Sequence, residues 1–87
     1  MNNSIDNLKK KILYRSNYRG TKEMDNLIGT FVKSIIDDLD IAELYNLENL
    51  LNIDDDILLR FYNNETNKLK IDENFVTKSF RKFKMKK

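Results

Sequence analysis

The 87-residue sequence contains no cysteine, no histidine and no proline, and it has only two glycines. Without cysteine, the chain forms no disulfide and offers no thiolate to a metal ion. Without histidine, it lacks the commonest general base and the commonest metal ligand, which excludes catalytic triads built on histidine or cysteine and the usual zinc sites. We therefore expect neither catalysis nor a bound metal ion.

The net charge of +2 conceals long blocks of one sign. Residues 9–22 and 78–87 contain basic but no acidic side chains, whereas residues 37–59 contain acidic but no basic ones. The basic ends could follow nucleic-acid phosphates, and the C-terminal one could instead lie on an anionic membrane surface. The acidic middle would repel DNA, and a solvated face also explains the C-terminal charges. A small nucleic-acid-binding or regulatory protein stays open as the alternative function.

The length suits one domain with a modest core. We expect a single helical domain over residues 1–87, in which residues 84–87 are a frayed basic tail. The first residues are polar, and no apolar run approaches the ~20 residues that cross a bilayer. A soluble, intracellular protein that does not span a membrane is the expectation.

Apolar residues recur at helical spacing, and no strand-like alternation persists. Together with short polar connections, this pattern predicts an all-α fold, a compact five-helix bundle. The expected helices are a first from Ser4 to Asn17 or Tyr18, a second along the apolar stripe from Met24 to Ile36, a third from Asp40 with Glu43 completing a capping box, a fourth after the N-cap Asp54, and a fifth from about Asp72. Residues 63–67 are expected to form a polar loop.

The inward face of each helix follows from the same spacing. The residues expected inside are Ile5, Leu8, Ile12, Met24, Leu27, Ile28, Phe31, Val32, Ile35, Ile36, Ile41, Leu44, Tyr45, Leu47, Leu50, Leu51, Ile57, Leu58, Phe61, Tyr62, Ile71, Phe75, Val76, Phe80 and Phe83. Gly29 interrupts the second helix and costs about 1 kcal/mol relative to alanine. Either another helix crosses closely there or the glycine is merely tolerated.

The connection between the first two helices carries the sequence Arg19-Gly20-x-x-Glu23. Each residue has a simple local explanation: Gly20 permits the turn, Glu23 satisfies amide groups in the first turn of the second helix, and Arg19 pairs with Glu23 or Asp25. These local roles do not explain why Tyr14, Tyr18 and Thr21 crowd the same corner.

The same corner also has the composition of an interaction site. Aromatic side chains beside an arginine are typical of interface hot spots. Gly20 would let a partner's backbone approach, and an outward Arg19 would make a forked contact to a carboxylate. The local interpretation and the docking interpretation both remain open at this point.

Other candidate sites are weaker. The three aspartates at residues 54–56 lack the alternating ligand spacing of a calcium loop, and an N-cap followed by acids in the first helical turn explains them. Gly20 and Gly29 form neither a Gly-x-Gly-x-x-Gly pattern nor a P-loop, so no nucleotide cradle is expected.

Several segments resemble one known family, the small succinate dehydrogenase assembly factors, or flavinylation factors, of bacteria and mitochondria. The matching segments are Leu13-Tyr14-Arg15-Ser16, Arg19-Gly20-Thr21-Lys22-Glu23-Met24-Asp25, Phe31 in the second helix, Leu50-Leu51, and Asp54-Asp55-Asp56-Ile57-Leu58-Leu59-Arg60-Phe61. The resemblance covers roughly residues 9 to 62. The chain departs from the family pattern at Tyr18, where a basic residue is common, at Thr21, where a bulky apolar residue is common, and at Phe61, where tryptophan is usual.

This resemblance implies a helical bundle without catalytic groups that binds the flavoprotein subunit of succinate dehydrogenase, and often of fumarate reductase. It also implies that the protein promotes covalent attachment of FAD to a histidine of that subunit. The residues implied to bind the partner are Arg19, Gly20 and Glu23, flanked by Lys11, Tyr14, Thr21 and Asp25. FAD would belong to the flavoprotein, so we expect no cofactor of the chain's own, no bound nucleic acid, and a monomer in a bacterial cytoplasm.

Overall fold

The computed structural model describes residues 3–65 and 71–84. In this part of the chain, five α-helices follow one another with one short 3-10 helix after the second, and no strand is present. The helices are α1 (Asn3–Ser16), α2 (Lys22–Ile35), the 3-10 helix (Ile36–Asp38), α3 (Ile41–Leu51), α4 (Asp55–Tyr62) and α5 (Phe75–Lys82). The predicted all-α, five-helix bundle is confirmed.

Side chains at the N-termini set where the helices begin. Asp40 and Glu43 form the predicted capping box, in which each carboxylate accepts a hydrogen bond from the other residue's backbone N–H. A second box joins Asn74 to Thr77 and starts α5 at Phe75. The predicted start near Asp72 was therefore wrong, because Asn74 supplies the cap.

Three smaller boundary predictions have mixed outcomes. α1 begins before Ser4, so Ser4 lies in its first turn rather than at the N-cap. Of the polar loop expected at residues 63–67, residues 63–65 leave α4 through a turn in which Asn64 has φ 58°, and the remainder lies outside the described residues. Most of the expected frayed tail lies outside them as well, and the division of the chain into one domain stays a prediction.

All five helices contribute to one hydrophobic core. Its buried residues are Ile12, Met24, Leu27, Ile28, Phe31, Val32, Ile36, Leu39, Leu44, Leu47, Leu50, Leu51, Leu58, Phe61, Val76 and Phe80. Aromatic rings meet around Phe80, whose centroid lies 5.1 Å from that of Phe31 and 5.1 Å from that of Tyr62. Most of the predicted inward residues are confirmed.

Three predicted core residues are instead exposed: Ile41, Tyr45 and Phe75. Ile41 and Tyr45 share a stripe of α3 with Glu48, which contacts cations of α1 rather than the core. Phe75 comes directly after the N-cap of α5, on the side of the helix away from buried Val76 and Thr77. Apolar character alone therefore overestimated the width of the buried face in both helices.

Gly29 lies where the end of α1 approaches α2 most closely. A Cβ added at Gly29 would lie 2.5 Å from Oδ1 of Asn17, whose Nδ2 donates a hydrogen bond of 2.9 Å to the Leu13 carbonyl. A close approach is thus present at this glycine, but its nearest atom belongs to the Asn17 side chain, just beyond the end of α1, rather than to a crossing helix. Gly29 therefore lies at the contact between α2 and the end of α1, the two helices whose connection carries the candidate site.

Gly29→Ala is expected to leave the free energy of unfolding nearly unchanged. Alanine gains about 1 kcal/mol of helix propensity, but its Cβ displaces Asn17 and breaks a hydrogen bond worth about 0.5–1.5 kcal/mol. In an Asn17→Ala background the conflict is gone, so the same substitution should stabilise by about 1 kcal/mol. Urea unfolding of the four proteins measures this coupling. Equal stabilisation in both backgrounds would show that Asn17 does not restrict the site.

No helix in the described residues has the length and apolar character that crossing a lipid bilayer requires.

Candidate interaction site

The elbow, residues 17–21, connects α1 to α2 and begins the candidate site. Gly20 has φ +123°, a backbone conformation that side-chain-bearing residues rarely adopt. Thr21 is the N-cap of α2, and its hydroxyl accepts a hydrogen bond of 3.2 Å from the Met24 N–H. Glycine and threonine therefore have separate structural tasks, one turning the chain and the other starting the helix.

Asp25 braces the elbow from within α2. Its carboxylate accepts a hydrogen bond from the backbone N–H of Arg19, across the turn that contains Gly20. The prediction that Arg19 pairs locally with an acid is met only through its backbone. The Asp25 side chain is half-buried, so the direct partner contact implied for it stays a prediction.

The guanidinium of Arg19 points into the protein. Its side chain is only 9% exposed and meets the segment between α3 and α4. Nε donates to the Asp55 carboxylate at 2.9 Å, Nη1 donates to the Leu51 carbonyl, and Nη2 donates to the Ile53 carbonyl at 2.8 Å. Nη2 also lies 2.8 Å from Asp55 Oδ1, the same oxygen that accepts from Nε, so the ion pair is made through one carboxylate oxygen.

The expectation of an outward Arg19 is therefore corrected. The reason is the C-terminus of α3, where backbone carbonyls lack helical partners and accept the guanidinium donors. Asp55 lies in the first turn of α4, where a carboxylate is favourable, and it supplies the opposing charge. Direct contact between Arg19 and another protein stays a prediction. In this structure the guanidinium that would make the contact is already bound by internal acceptors.

The remaining predicted residues at the corner are accessible. Glu23 in the first turn of α2 and Thr21 at its N-cap are both exposed. Tyr14 of α1 and Tyr18 of the elbow are 66% and 69% exposed, and their ring centroids are 4.6 Å apart. A pair of large aromatic rings held together in solvent is the composition of an interface anchor.

Lys11 joins this surface to α3. Its Nζ lies 3.0 Å from the Glu48 carboxylate, and the Lys11 side chain is 60% exposed. Arg15 lies 3.9 Å from the same carboxylate and donates to Asn52 Oδ1 at 2.5 Å. Basic residues of α1 thus contact Glu48 of α3, which places part of the basic and acidic blocks in direct contact.

An open depression of about 480 Å³ lies beside the elbow. It is lined by Arg15, Arg19 and residues 51–56. Asp54 occupies the predicted N-cap position of α4 but makes no capping hydrogen bond with its side chain, whereas Asp55 pairs with Arg19. Within residues 3–65 and 71–84, no group of three metal-ligating side chains is placed to hold a metal ion.

Asp55 is the functional residue that sequence reasoning missed. It was explained as a helix-capping acid, and its partner Arg19 is 36 residues away along the chain. The available signal was the joint occurrence of the Arg19-Gly20-x-x-Glu23 segment and the aspartate segment in the family pattern. The structure brings these two segments into contact through the Arg19 side chain.

The chain is thus a small all-α protein whose accessible corner presents paired tyrosines, a carboxylate and a turn glycine. The family model described as flavinator of succinate dehydrogenase matches residues 10–84. A relative from Acetobacter pasteurianus (strain NBRC 105184 / IFO 3283-01), named FAD assembly factor SdhE, is 42% identical over 53 residues. That match covers 58% of this chain and 49% of the relative, so it spans about half of the relative's length. No solved structure matches the chain significantly.

The chain belongs to the family of flavinators of succinate dehydrogenase, because the match includes the elbow, the aspartate segment and all helices from α2 onward. The alternative of a nucleic-acid-binding or regulatory protein receives no support from these comparisons.

Proposed function

We propose that this protein is an assembly factor that binds the flavoprotein subunit of succinate dehydrogenase and promotes the covalent attachment of FAD to it. The family match over residues 10–84 carries the proposal. The exposed corner supports it, because the corner offers rigid aromatic area and a free carboxylate to a protein surface. We extend this proposal to the flavoprotein subunit of fumarate reductase.

The proposed mechanism is orientation. Neither histidine nor cysteine is present, so the chemistry of flavin attachment is assigned to the flavoprotein and its own histidine. Binding of the small protein would hold parts of the flavoprotein where flavin and histidine meet, and such positioning can lower a reaction barrier substantially. The protein is proposed to act as a chaperone rather than an enzyme, with no FAD of its own, as a monomer in the bacterial cytoplasm.

The binding face is proposed to consist of the accessible predicted residues. These are Lys11, Tyr14, Gly20, Thr21 and Glu23, with the ring of Tyr18 in tilted contact with that of Tyr14. Two of the originally predicted residues, Arg19 and Asp25, instead make internal contacts at the elbow. A pull-down from the native cell extract identifies the partner: a flavin-bearing dehydrogenase subunit is expected, and its absence from the captured proteins would contradict the function.

Glu23→Ala is expected to weaken partner binding while leaving the fold intact. The carboxylate is exposed in the first turn of α2, so its loss should lower the free energy of unfolding by only about 0.3–1 kcal/mol. At an interface hot spot, removal should raise the dissociation constant for the flavoprotein by ~10-fold or more. Calorimetric titration of the purified flavoprotein subunit measures this change.

Glu73→Ala is the matched control, because Glu73 is also an exposed glutamate but lies just before α5, outside the proposed binding face. Its dissociation constant should stay within about 2-fold of the wild-type value. Equal weakening by both substitutions would show a general charge effect and would remove Glu23 from the binding face.

A further inference from the structure

Arg19 is the point at which three parts of the chain are tied together. Its backbone N–H is bound by Asp25 of α2, and its side chain is bound by the end of α3 and the start of α4. The contacts to the segment between α3 and α4 cross 32 to 36 residues of sequence. No side chain in the described residues other than Arg19 is seen to donate to the carbonyls of both Leu51 and Ile53.

The chemistry of these contacts makes the arginine difficult to replace. A guanidinium has several donors in a planar fork, so it can reach two carbonyls and a carboxylate at once. A lysine has a compact ammonium group and can neutralise Asp55, but it lacks the fork needed for the complete set. The Arg19 side chain is only 9% exposed, so most of the guanidinium is already covered by the protein, while Asp55 keeps 29% exposure at the depression.

We propose that Arg19 is a positioning residue, whose side chain fixes the Gly20 turn against the start of α4 and does not itself contact the flavoprotein. This inference rests on the proposed function and refines it. The contact holds the tyrosine pair and Glu23 in a constant relation to the exposed carboxylates of Asp54 and Asp56, which border the same depression. Arg19 thereby determines the shape of the binding face, and the accessible residues supply its contacts.

The first test measures the arrangement of the protein alone. In amide NMR spectra of Arg19→Lys and Asp55→Asn, the resonances of Gly20 and of residues 54–56 should shift together, while those of α5 should stay. Unchanged resonances at both places in Arg19→Lys would overturn the proposal. Because the flavoprotein is absent from this measurement, its outcome does not depend on the proposed function.

The second test measures flavin attachment to the purified flavoprotein subunit at increasing concentrations of the small protein, well below every variant's Tm. Arg19→Lys and Asp55→Asn are each expected to raise the half-saturating concentration by ~10-fold and to leave the maximal rate unchanged. The double variant should be no weaker than the weaker single variant, because the contact between Arg19 and Asp55 that Asp55→Asn removes is already disrupted in Arg19→Lys. An unchanged half-saturating concentration for both single variants would overturn the proposal.

A core variant separates positioning from loss of stability. Leu44 is fully buried in α3 and does not line the depression, so Leu44→Ala or a milder Leu44→Val can be chosen to match the Tm of Arg19→Lys. The matched variant should keep its half-saturating concentration within about 2-fold of wild type. An equal rise in this control would reduce Arg19 to a general stabilising residue and overturn the proposal. If wild type fails to promote attachment, the proposed function fails, and the NMR result still decides the positioning role.

Discussion

Gly20→Arg is expected to reduce flavin attachment at subsaturating protein by ~100-fold, whereas Gly20→Ala reduces it by less than ~10-fold. Both substitutions force a side-chain-bearing residue to φ +123°, at a cost of about 1–3 kcal/mol. An added Cβ meets no atom within 4 Å, so the two variants should lose similar stability. Only arginine places a long charged side chain on the proposed binding face, where we expect a partner's backbone to approach.

The comparison of the two variants separates backbone strain from obstruction. Thermal unfolding should show Tm values lowered by ~4–8 °C per kcal/mol for a domain of this size, and similar for both. Flavin attachment should then differ between proteins of equal stability. Equal activity of Gly20→Ala and Gly20→Arg would indicate that the turn geometry matters but that no partner covers Gly20.

Phe80→Ala is expected to lower the free energy of unfolding by about 3–5 kcal/mol. Phe80 is completely buried, and its ring packs against Phe31 of α2 and Tyr62 of α4. Its removal would therefore leave a cavity where three helices meet. Domains of this size have total stabilities of about 5–15 kcal/mol, and the variant should therefore be near the limit of folding. Urea unfolding, followed by circular dichroism, measures the loss.

Phe75→Ala is the matched control in the same helix, because the Phe75 side chain is 56% exposed. Its loss of stability should remain below about 1 kcal/mol. Similar losses for the two phenylalanines would contradict the assignment of Phe80 as the aromatic centre of the core. The sequence alone places both residues inward, so this pair also tests the structural correction.

The helices were predictable where several local signals agreed. α2 combines a long apolar stripe with a turn glycine before it, and α3 combines its stripe with the Asp40 and Glu43 capping box. α5 began later than predicted because Asn74 and Thr77 form a less familiar version of the box. Exposure of Tyr45 was unpredictable from spacing, since it depends on how α1 lies along α3.

The candidate site was predictable only in its local part. The turn at Gly20, the capping acids and the crowding of tyrosines are visible within a dozen residues of sequence. The direction of Arg19 is not, because its acceptors are at Leu51, Ile53 and Asp55, and their proximity exists only after the helices pack. The arginine beside an exposed glycine therefore suggested an outward contact, whereas in the folded protein its side chain binds internal acceptors.

The most direct measurement of the central claim is covalent flavin incorporation into the purified flavoprotein subunit, followed by in-gel flavin fluorescence. The subunit is incubated with FAD alone, with FAD and the wild-type protein, and with FAD and Gly20→Arg. Rapid incorporation with the wild-type protein and slow incorporation in the other two samples is the expected result. Incorporation at the same rate in all three samples would contradict an assembly function exerted through the elbow between α1 and α2.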